Sequence, residues 1–199
     1  MGTGYRIGMS KPIAAKYSYD KETKKAKYSE PTYLGEAMTG TFNPNYAEAS
    51  LNGDDREVDS ATELTSVAIA LGVTKLPIKA HNVLFGATVE GSKVTEKTTD
   101  VANDVGLGFI SRQSNGLYTA VIYAKSKFKR SSESYETRGQ SVKYNTPTIN
   151  GTATESDVDH IIRDFEEDLT EEAAWKYVTD VLGDPDAVSS TSTTTSAGQ

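Results

Sequence analysis

The sequence predicts a mainly β protein with two short helices. Thr, Tyr, Val and Ile occur in short alternating runs separated by Gly, Asn and Pro, which is typical of strands joined by turns. The chain has 199 residues, of which 36% are hydrophobic, and this is enough for one domain with its own core. We expect a β domain over residues 1–187 and a disordered, Ser/Thr-rich tail over residues 188–199, because the tail has almost nothing to bury.

The first half of the chain is predicted to hold several strands and one helix. Alternation predicts strands at residues 5–9, 35–46 and 63–73. The lysine-rich residues 17–28 are expected to form a loop or an exposed hairpin, and the polar residues 47–62 a long loop. Pro77 opens a short helix that Gly86 ends.

The second half of the chain begins with further predicted strands and then changes character. Residues 105–110 and 117–128 alternate as strands, and Asn115-Gly116 between them predicts a type I′ hairpin turn. A further strand is expected at residues 141–153, whereas residues 157–165 fit either a helix or a strand edge. Thr170 is the predicted N-cap of a closing helix that ends at Gly183.

The composition excludes several kinds of chemistry. The chain has no cysteine, so disulfides and thiolate chemistry are impossible, and its two histidines leave little material for a metal site. His160 lies near Asp164 and could form a His–carboxylate pair, but we interpret it as part of an acidic surface. No hydrolase, metalloprotease or dinucleotide-binding motif occurs, so we expect no enzymatic activity and no cofactor. The longest apolar run, residues 67–73, is too short to span a membrane.

Charge is distributed unevenly along the chain. Residues 155–186 contain twelve acidic residues against Arg163 and Lys176, a net charge of −10, whereas the rest of the chain carries 16 acidic and 19 basic residues, a net charge of +3. Residues 111–143 hold much of the basic excess. Solvated surfaces usually explain such segments, but segments of opposite charge could also meet across an interface between copies of the chain.

Four motifs follow one another in the second half of the chain. They are Ser114-Asn115-Gly116-Leu117-Tyr118, Lys127-Phe128-Lys129, SESYETRGQS at residues 132–141, and TPTINGT at residues 146–152. In order and spacing this region, residues 105–153, resembles the signature region of the major tail proteins of long-tailed, siphovirus-type phages that infect Gram-positive bacteria. The TEEAAWKYVTDVLG segment also resembles the closing helix of that family.

The resemblance implies a fold and a function. The fold would be a β-sandwich or half-barrel with a packed helix, whose strands join those of five other subunits in a ring-wide inner β-barrel. Hexameric rings of this kind stack into the hollow tail tube through which DNA is ejected. The implied partners are other copies of the chain, the tail terminator, tape measure and distal tail proteins, and DNA in transient, non-sequence-specific passage. The implied location is the virion tail after assembly in the host cytoplasm, without a membrane.

Three groups of residues are candidate functional residues. Two strands with small, weakly polar faces and no Lys or Arg are expected to line the bore, through Ala37, Thr39, Thr41, Ser66, Ala68 and Ala70. The loop is expected to contact a neighbouring subunit through Asp54, Asp55, Arg56, Glu57 and Asp59, although an acidic loop facing the bore is an alternative. Trp175, Val178 and Leu182 are expected to pack the closing helix on the sheet.

A second class of function is also compatible with a β-rich chain. A monomeric β-sandwich that binds carbohydrate or a receptor would need exposed aromatic side chains on a concave face, and the eleven tyrosines could supply them. Oligomeric size distinguishes the two hypotheses, because a binding module forms at most a small oligomer and a tube protein forms rings or polymers.

Overall fold

The computed structural model of the chain describes residues 4–53, 56–130 and 146–189. Within this part the chain is mainly β, as predicted, and contains ten strands and three helices. The elements in chain order are β1 Ser10–Asp20, β2 Lys25–Tyr33, β3 Ala37–Gly53, β4 Arg56–Val73, α1 Ile78–Phe85, β5 Thr88–Glu90, β6 Lys93–Thr95, β7 Asp104–Arg112, β8 Tyr118–Lys129, β9 Thr148–Thr154, β10 Arg163–Leu169, α2 Glu171–Leu182 and α3 Pro185–Ser189.

One antiparallel sheet holds eight of these strands. Its order is β2-β1-β7-β8-β9-β4-β3, and β10 also pairs with β8. Residues 118–123 of β8 pair with β10, and residues 125–129 pair with β9. Phe42 of β3 stacks on Phe109 and Tyr123, with ring centroids 5.2 and 5.0 Å apart. The sheet is therefore curled, so that its last strand faces its middle strands across a shared core.

A hydrophobic core lies on each side of the curled sheet. The inner core contains Leu71, Leu107 and Phe128, and the apolar side chains of α1 pack into it. The second core, on the opposite face, joins Ile13, Ile110 and Ile122 to the buried side of α2. The two longer helices therefore cover opposite faces of one sheet, which is why β7 is buried along nearly its whole length.

The helix α2 packs closely against two glycines of β7. A Cβ atom on Gly108 would lie 2.6 Å from Cγ1 of Val178 and 2.7 Å from Cδ1 of Leu182, and one on Gly106 would lie 2.5 Å from Cδ2 of Leu182. The helix can approach the sheet this closely only because side chains are absent there. Val178 and Leu182 are buried, whereas Trp175 is half-buried at the margin, where it stacks on Tyr33.

The predicted helix ends are confirmed. The hydroxyl oxygen of Thr170 accepts a hydrogen bond from the backbone N–H of Ala173 at 3.3 Å, as an N-cap should. Pro77 precedes α1 in an extended conformation, and Gly86 ends it with a φ of 69°. These signals depend on a few neighbouring residues, so a sequence pattern can predict them.

The turn between β7 and β8 differs from the predicted type I′ turn. The N–H of Gly116 donates to the carbonyl of Gln113 at 3.1 Å, and the N–H of Gln113 donates to the carbonyl of Leu117 at 2.7 Å. Gly116 has a φ of 85°, but Asn115 does not have a positive φ. This is a three-residue loop in which a type I turn is followed by a left-handed glycine.

Several predicted boundaries were wrong. Residues 5–9 form a single β-bridge, Arg6 to Gln113, and not a strand. Residues 141–145 lie outside the described residues, and the strand predicted at 141–153 runs over Thr148–Thr154. Residues 157–165 are neither one helix nor one strand, because a turn at 157–159 precedes β10. The lysine-rich residues 17–28 form the β1–β2 hairpin, in agreement with the hairpin alternative.

The predicted long loop at residues 47–62 was the largest error. β3 and β4 continue to Gly53 and Arg56 and pair along this stretch, with Ala47 opposite Glu63. A polar sequence without alternation is compatible with this ribbon, because each strand satisfies the backbone hydrogen bonds of the other. At the C-terminus, α3 includes Val188 and Ser189, so the predicted tail does not begin at 188, and residues 190–199 lie outside the described residues.

Candidate functional site: an uncovered polar sheet face

Small and polar side chains form a continuous face on β3, β4 and β9. Directly paired residues of antiparallel strands project to the same side of a sheet, so the pairing registers define this face. One row runs from Thr41 through Ala70 to Asn150, and the next from Asn43 through Ala68 to Thr152. We call the polar sheet face the set of Thr39, Thr41, Asn43, Asn45, Ser66, Ala68, Ala70, Asn150 and Thr152.

Alternation along each strand separates the polar sheet face from the inner core. Between the two rows above lies a third, in which Phe42 pairs with Ile69 and Ile69 with Gly151. Because side chains alternate along a strand, this third row projects to the opposite side of the sheet. Ile69 is buried and Phe42 is half-buried in the inner core. The polar sheet face lies on the same side of the sheet as α2, but α2 packs on β7 and β8, and the polar residues stay exposed or half-buried.

Five of the six residues proposed to line a bore lie on this face. Thr39, Thr41, Ser66, Ala68 and Ala70 share it through their pairing. Ala37 does not, because an irregularity between Ala37 and Thr39 pairs it with Val73, which is buried in the inner core. Gly72 stays on the polar side, where a Cβ atom would collide with the hydroxyl of Thr39.

Three lysines form one border of the polar sheet face, which sequence reasoning did not anticipate. Pairing places Lys127 beside Thr152 and Lys129 beside Asn150, and Lys125 lies opposite Thr154. The two strands predicted to line the bore, residues 35–46 and 63–73, contain no Lys or Arg. However, β9 pairs with β4 on one side and with the lysine-bearing β8 on the other. Only knowledge of that pairing could have revealed the shared face.

Two of these lysines have acidic partners. The ammonium group of Lys127 lies 3.1 Å from Oδ1 of Asp104, which is its direct partner across β7 and β8. Lys125 donates to Oδ2 of Asp157 at 2.7 Å. This hydrogen bond lowers the pKa of the Asp157 carboxyl and raises the pKa of Lys125. Within the described residues, no carboxylate lies within 4.0 Å of Lys129, so the row keeps one unpaired cation.

The hairpin of β3 and β4 extends beyond the body of the sheet. Pairing with β9 ends at Val67. Among the residues that the structure describes, those at 48–53 and 56–62, here called the arm, pair only with each other. Arg56, Glu57 and Asp59 of the proposed inter-subunit loop lie in β4, and Asp54 and Asp55 lie outside the described residues. At the base of the arm, Tyr46 and Leu64 form an exposed cross-strand pair.

A cleft of about 450 Å³ opens on the concave side of the sheet. Phe42, Phe109 and Tyr123 line its floor, and Arg6 and Arg163 lie on its rim. Both guanidinium groups approach the ring of Phe165 on β10, at 5.4 and 4.7 Å. Burial raises the pKa of Tyr123, and a hydrogen bond with Arg163 opposes that shift. Such a cleft could receive a planar or anionic group.

The structure places His160 beside Glu155 and not beside Asp164. Its Nδ1 lies 3.3 Å from Oε2 of Glu155, and both side chains are mostly exposed. Asp164, which the sequence placed near this histidine, instead accepts a hydrogen bond from the hydroxyl of Tyr177 at 2.6 Å. Over residues 4–53, 56–130 and 146–189, no three His, Asp or Glu side chains are grouped so as to hold a metal ion. No helix in those ranges combines the length and hydrophobicity needed to cross a membrane.

Comparison with models of known protein families finds no family that matches this chain. No curated protein matches it either.

Proposed function

We propose that this chain is a structural protein that self-assembles into stacked hexameric rings and forms a phage tail tube through which DNA is ejected. The polar sheet face would line the bore. The arm would contact a neighbouring subunit. The proposal combines the resemblance of residues 105–153 to major tail proteins with two features of the fold.

The polar sheet face is the observation that carries this proposal. Its members on β3, β4 and β9 are Thr, Asn, Ser and Ala, without a charged or large apolar side chain. A surface past which a polyanion slides needs these properties, since unpaired cations would bind phosphates and exposed apolar groups would associate. A face of this composition lacks the charged and large apolar side chains that would bind a partner tightly.

The open edge and the arm support self-assembly. In the described part of the chain β3 pairs only with β4, so one edge of a 17-residue strand is left for another partner. Sheet edges of this length are usually covered or closed. The arm is a two-stranded ribbon outside the body, and such ribbons are marginally stable in isolation. Contact with a second copy of the chain would cover the open edge of β3 and would stabilise the arm.

Electron microscopy of the purified protein tests the proposal directly. We expect negative-stain images to show rings or tubes of uniform diameter, and sedimentation velocity to show species much larger than a 21.5 kDa monomer. A protein that stays monomeric across a wide range of concentrations and salt conditions would contradict the proposal.

The cleft favours a second candidate function, a monomeric carbohydrate- or receptor-binding module. Aromatic rings and arginine side chains are common in binding sites, but Phe109 and Tyr123 are buried, so they offer no open stacking platform. A monomer that binds glycans saturably, and loses binding when Arg163→Ala removes one rim guanidinium, would favour this alternative over the tube.

A further inference from the structure

The lysine row of β8 is placed where it could bind a polyanion. Lys125, Lys127 and Lys129 alternate along one strand, so neighbouring members lie about 6.8 Å apart and project to one side. They border an uncovered face whose other members are uncharged. Lys127 and Lys129 are exposed and Lys125 is half-buried. A row of solvent-accessible cations attracts nucleic-acid phosphates because binding releases counterions.

The two ion pairs of this row contribute little to stability. The side chains of Lys127 and Asp104 are 54% and 36% exposed, and pairs of this kind typically stabilise a fold by less than about 1 kcal/mol. The pair of Lys125 and Asp157 is more covered, with side chains that are 21% and 37% exposed, but it also reaches solvent. The main effect of these two ion pairs is therefore on the local charge, because each carboxylate neutralises one lysine of the row.

We propose that Asp104 and Asp157 neutralise two of the three lysines of this row and thereby weaken the binding of nucleic-acid phosphates at the polar sheet face. The biological purpose of this neutralisation rests on the proposed function, in which DNA must pass the face without adhering to it. The neutralisation itself is a property of the single chain. Asp104 on β7 and Asp157 in the turn after β9 would have this role, although both lie outside the strands predicted to line the bore.

DNA binding by the full-length Asp104→Asn/Asp157→Asn variant tests the inference. Fluorescence anisotropy with a labelled, random-sequence DNA duplex would compare it with the unsubstituted chain. Two freed lysines add about two phosphate contacts, so we expect roughly tenfold tighter binding at about 50 mM salt, with most of the gain lost at about 200 mM. Equal binding by the two proteins at low salt would overturn the inference.

A matched control separates local neutralisation from net charge. Glu90→Gln with Asp180→Asn removes the same number of negative charges at exposed positions on β5 and α2, and neither residue forms an ion pair with Lys125 or Lys127. This control should bind DNA no better than the unsubstituted chain, and an equal gain in the control would overturn the inference. Adding Lys127→Gln and Lys129→Gln to the test variant should remove its gain, and persistence of the gain would contradict the lysine row as the binding surface.

Folding and assembly are measured on the same proteins. Circular dichroism melting checks that each variant is folded, and if the double variant unfolds, Asp104→Asn and Asp157→Asn alone each test one pair, with a smaller gain expected. Tube formation by the unsubstituted chain is scored separately by electron microscopy. Absence of tubes would contradict the proposed function and leave the DNA-binding result intact, whereas normal tubes with no gain in binding would contradict only the inference.

Discussion

Among single side chains, Leu182 and Val178 hold α2 on the sheet more firmly than Trp175 does. Leu182 is 1% exposed and fits against the bare backbone of Gly106 and Gly108. Trp175 is half-buried, and its contacts are the stacked ring of Tyr33 and the ammonium group of Lys11, 5.5 Å from the ring centroid. We therefore expect Trp175 to stabilise the packing of α2 less than Leu182 does, although its side chain is larger, because the stabilisation depends on the apolar area that is buried.

Truncation of these side chains should reveal this ranking. We expect Leu182→Ala to lower the free energy of unfolding by about 2–5 kcal/mol, because it leaves a cavity in the second core. Trp175→Ala should lower it by about 1–3 kcal/mol, from lost stacking and cation–π contact. Val181→Ala, on the exposed side of the same helix, is the control and should change it by less than about 1 kcal/mol. Urea unfolding measures all three, and a larger loss for Trp175→Ala would contradict this ranking.

At the scale of elements, we expect the rest of the sheet to fold without the arm. In the described ranges its residues pair only with each other, whereas β4 from Val67 onward is held between β3 and β9. Removing the arm leaves the pairing of β4 with β9 intact, and the Tyr46–Leu64 pair remains at its base. The arm should matter for assembly and not for folding.

Shortening the arm tests this separation. We propose replacing residues 48–62 with Asn-Gly, which joins the paired residues Ala47 and Glu63 through a two-residue hairpin turn. The free energy of unfolding should change by less than about 1 kcal/mol, while electron microscopy should show no rings or tubes. A full-length Asp54→Lys/Asp55→Lys variant isolates the acidic charges and should shorten or abolish tubes. Tubes of normal length from the shortened chain would exclude the arm as an assembly element.

At the scale of the whole molecule, three tyrosines connect separate elements through their hydroxyl groups. Tyr28 donates to the carbonyl of Ala124 at 2.9 Å, and Tyr33 and Tyr177 donate to carboxylates at 2.9 and 2.6 Å. Burial raises the pKa of each of these phenols to about 12. The folded state therefore keeps them protonated at pH values where the unfolded chain has begun to lose those protons.

The direction of the pH dependence follows from these shifts. Because the folded pKa lies above the unfolded value of about 10, the stabilisation is complete below pH 10 and is lost as the pH rises toward about 12. We expect the urea midpoint to fall across this range, and Tyr28→Phe to flatten the fall by about 1–2 kcal/mol after allowance for solvent screening. Tyr5→Phe, at a side chain that is 80% exposed, is the control. A fall that is equally steep in both variants would contradict the role of Tyr28.

Local patterns in the sequence determined much of the secondary structure. The ends of α1 and α2, the strands β7 and β8, and the alternation that gives Thr41 and Ala70 a small polar side all depend on residues within a few positions of each other. Short-range sterics and hydrogen bonds dominate such features. The polar arm was predicted to be a loop because its sequence contains no alternation of apolar and polar residues.

Tertiary structure alone decided what these elements form together. The alternation of Lys127 and Lys129 was visible in the sequence, and so was that of Ala68 and Ala70. Only the insertion of β9 between β8 and β4 places all four on one face. An irregularity beside Thr39 likewise moved Ala37 off that face. Strand partners and register depend on segments about 25–80 positions apart, whose contacts are set by the packing of the whole core, and a local sequence pattern does not record them.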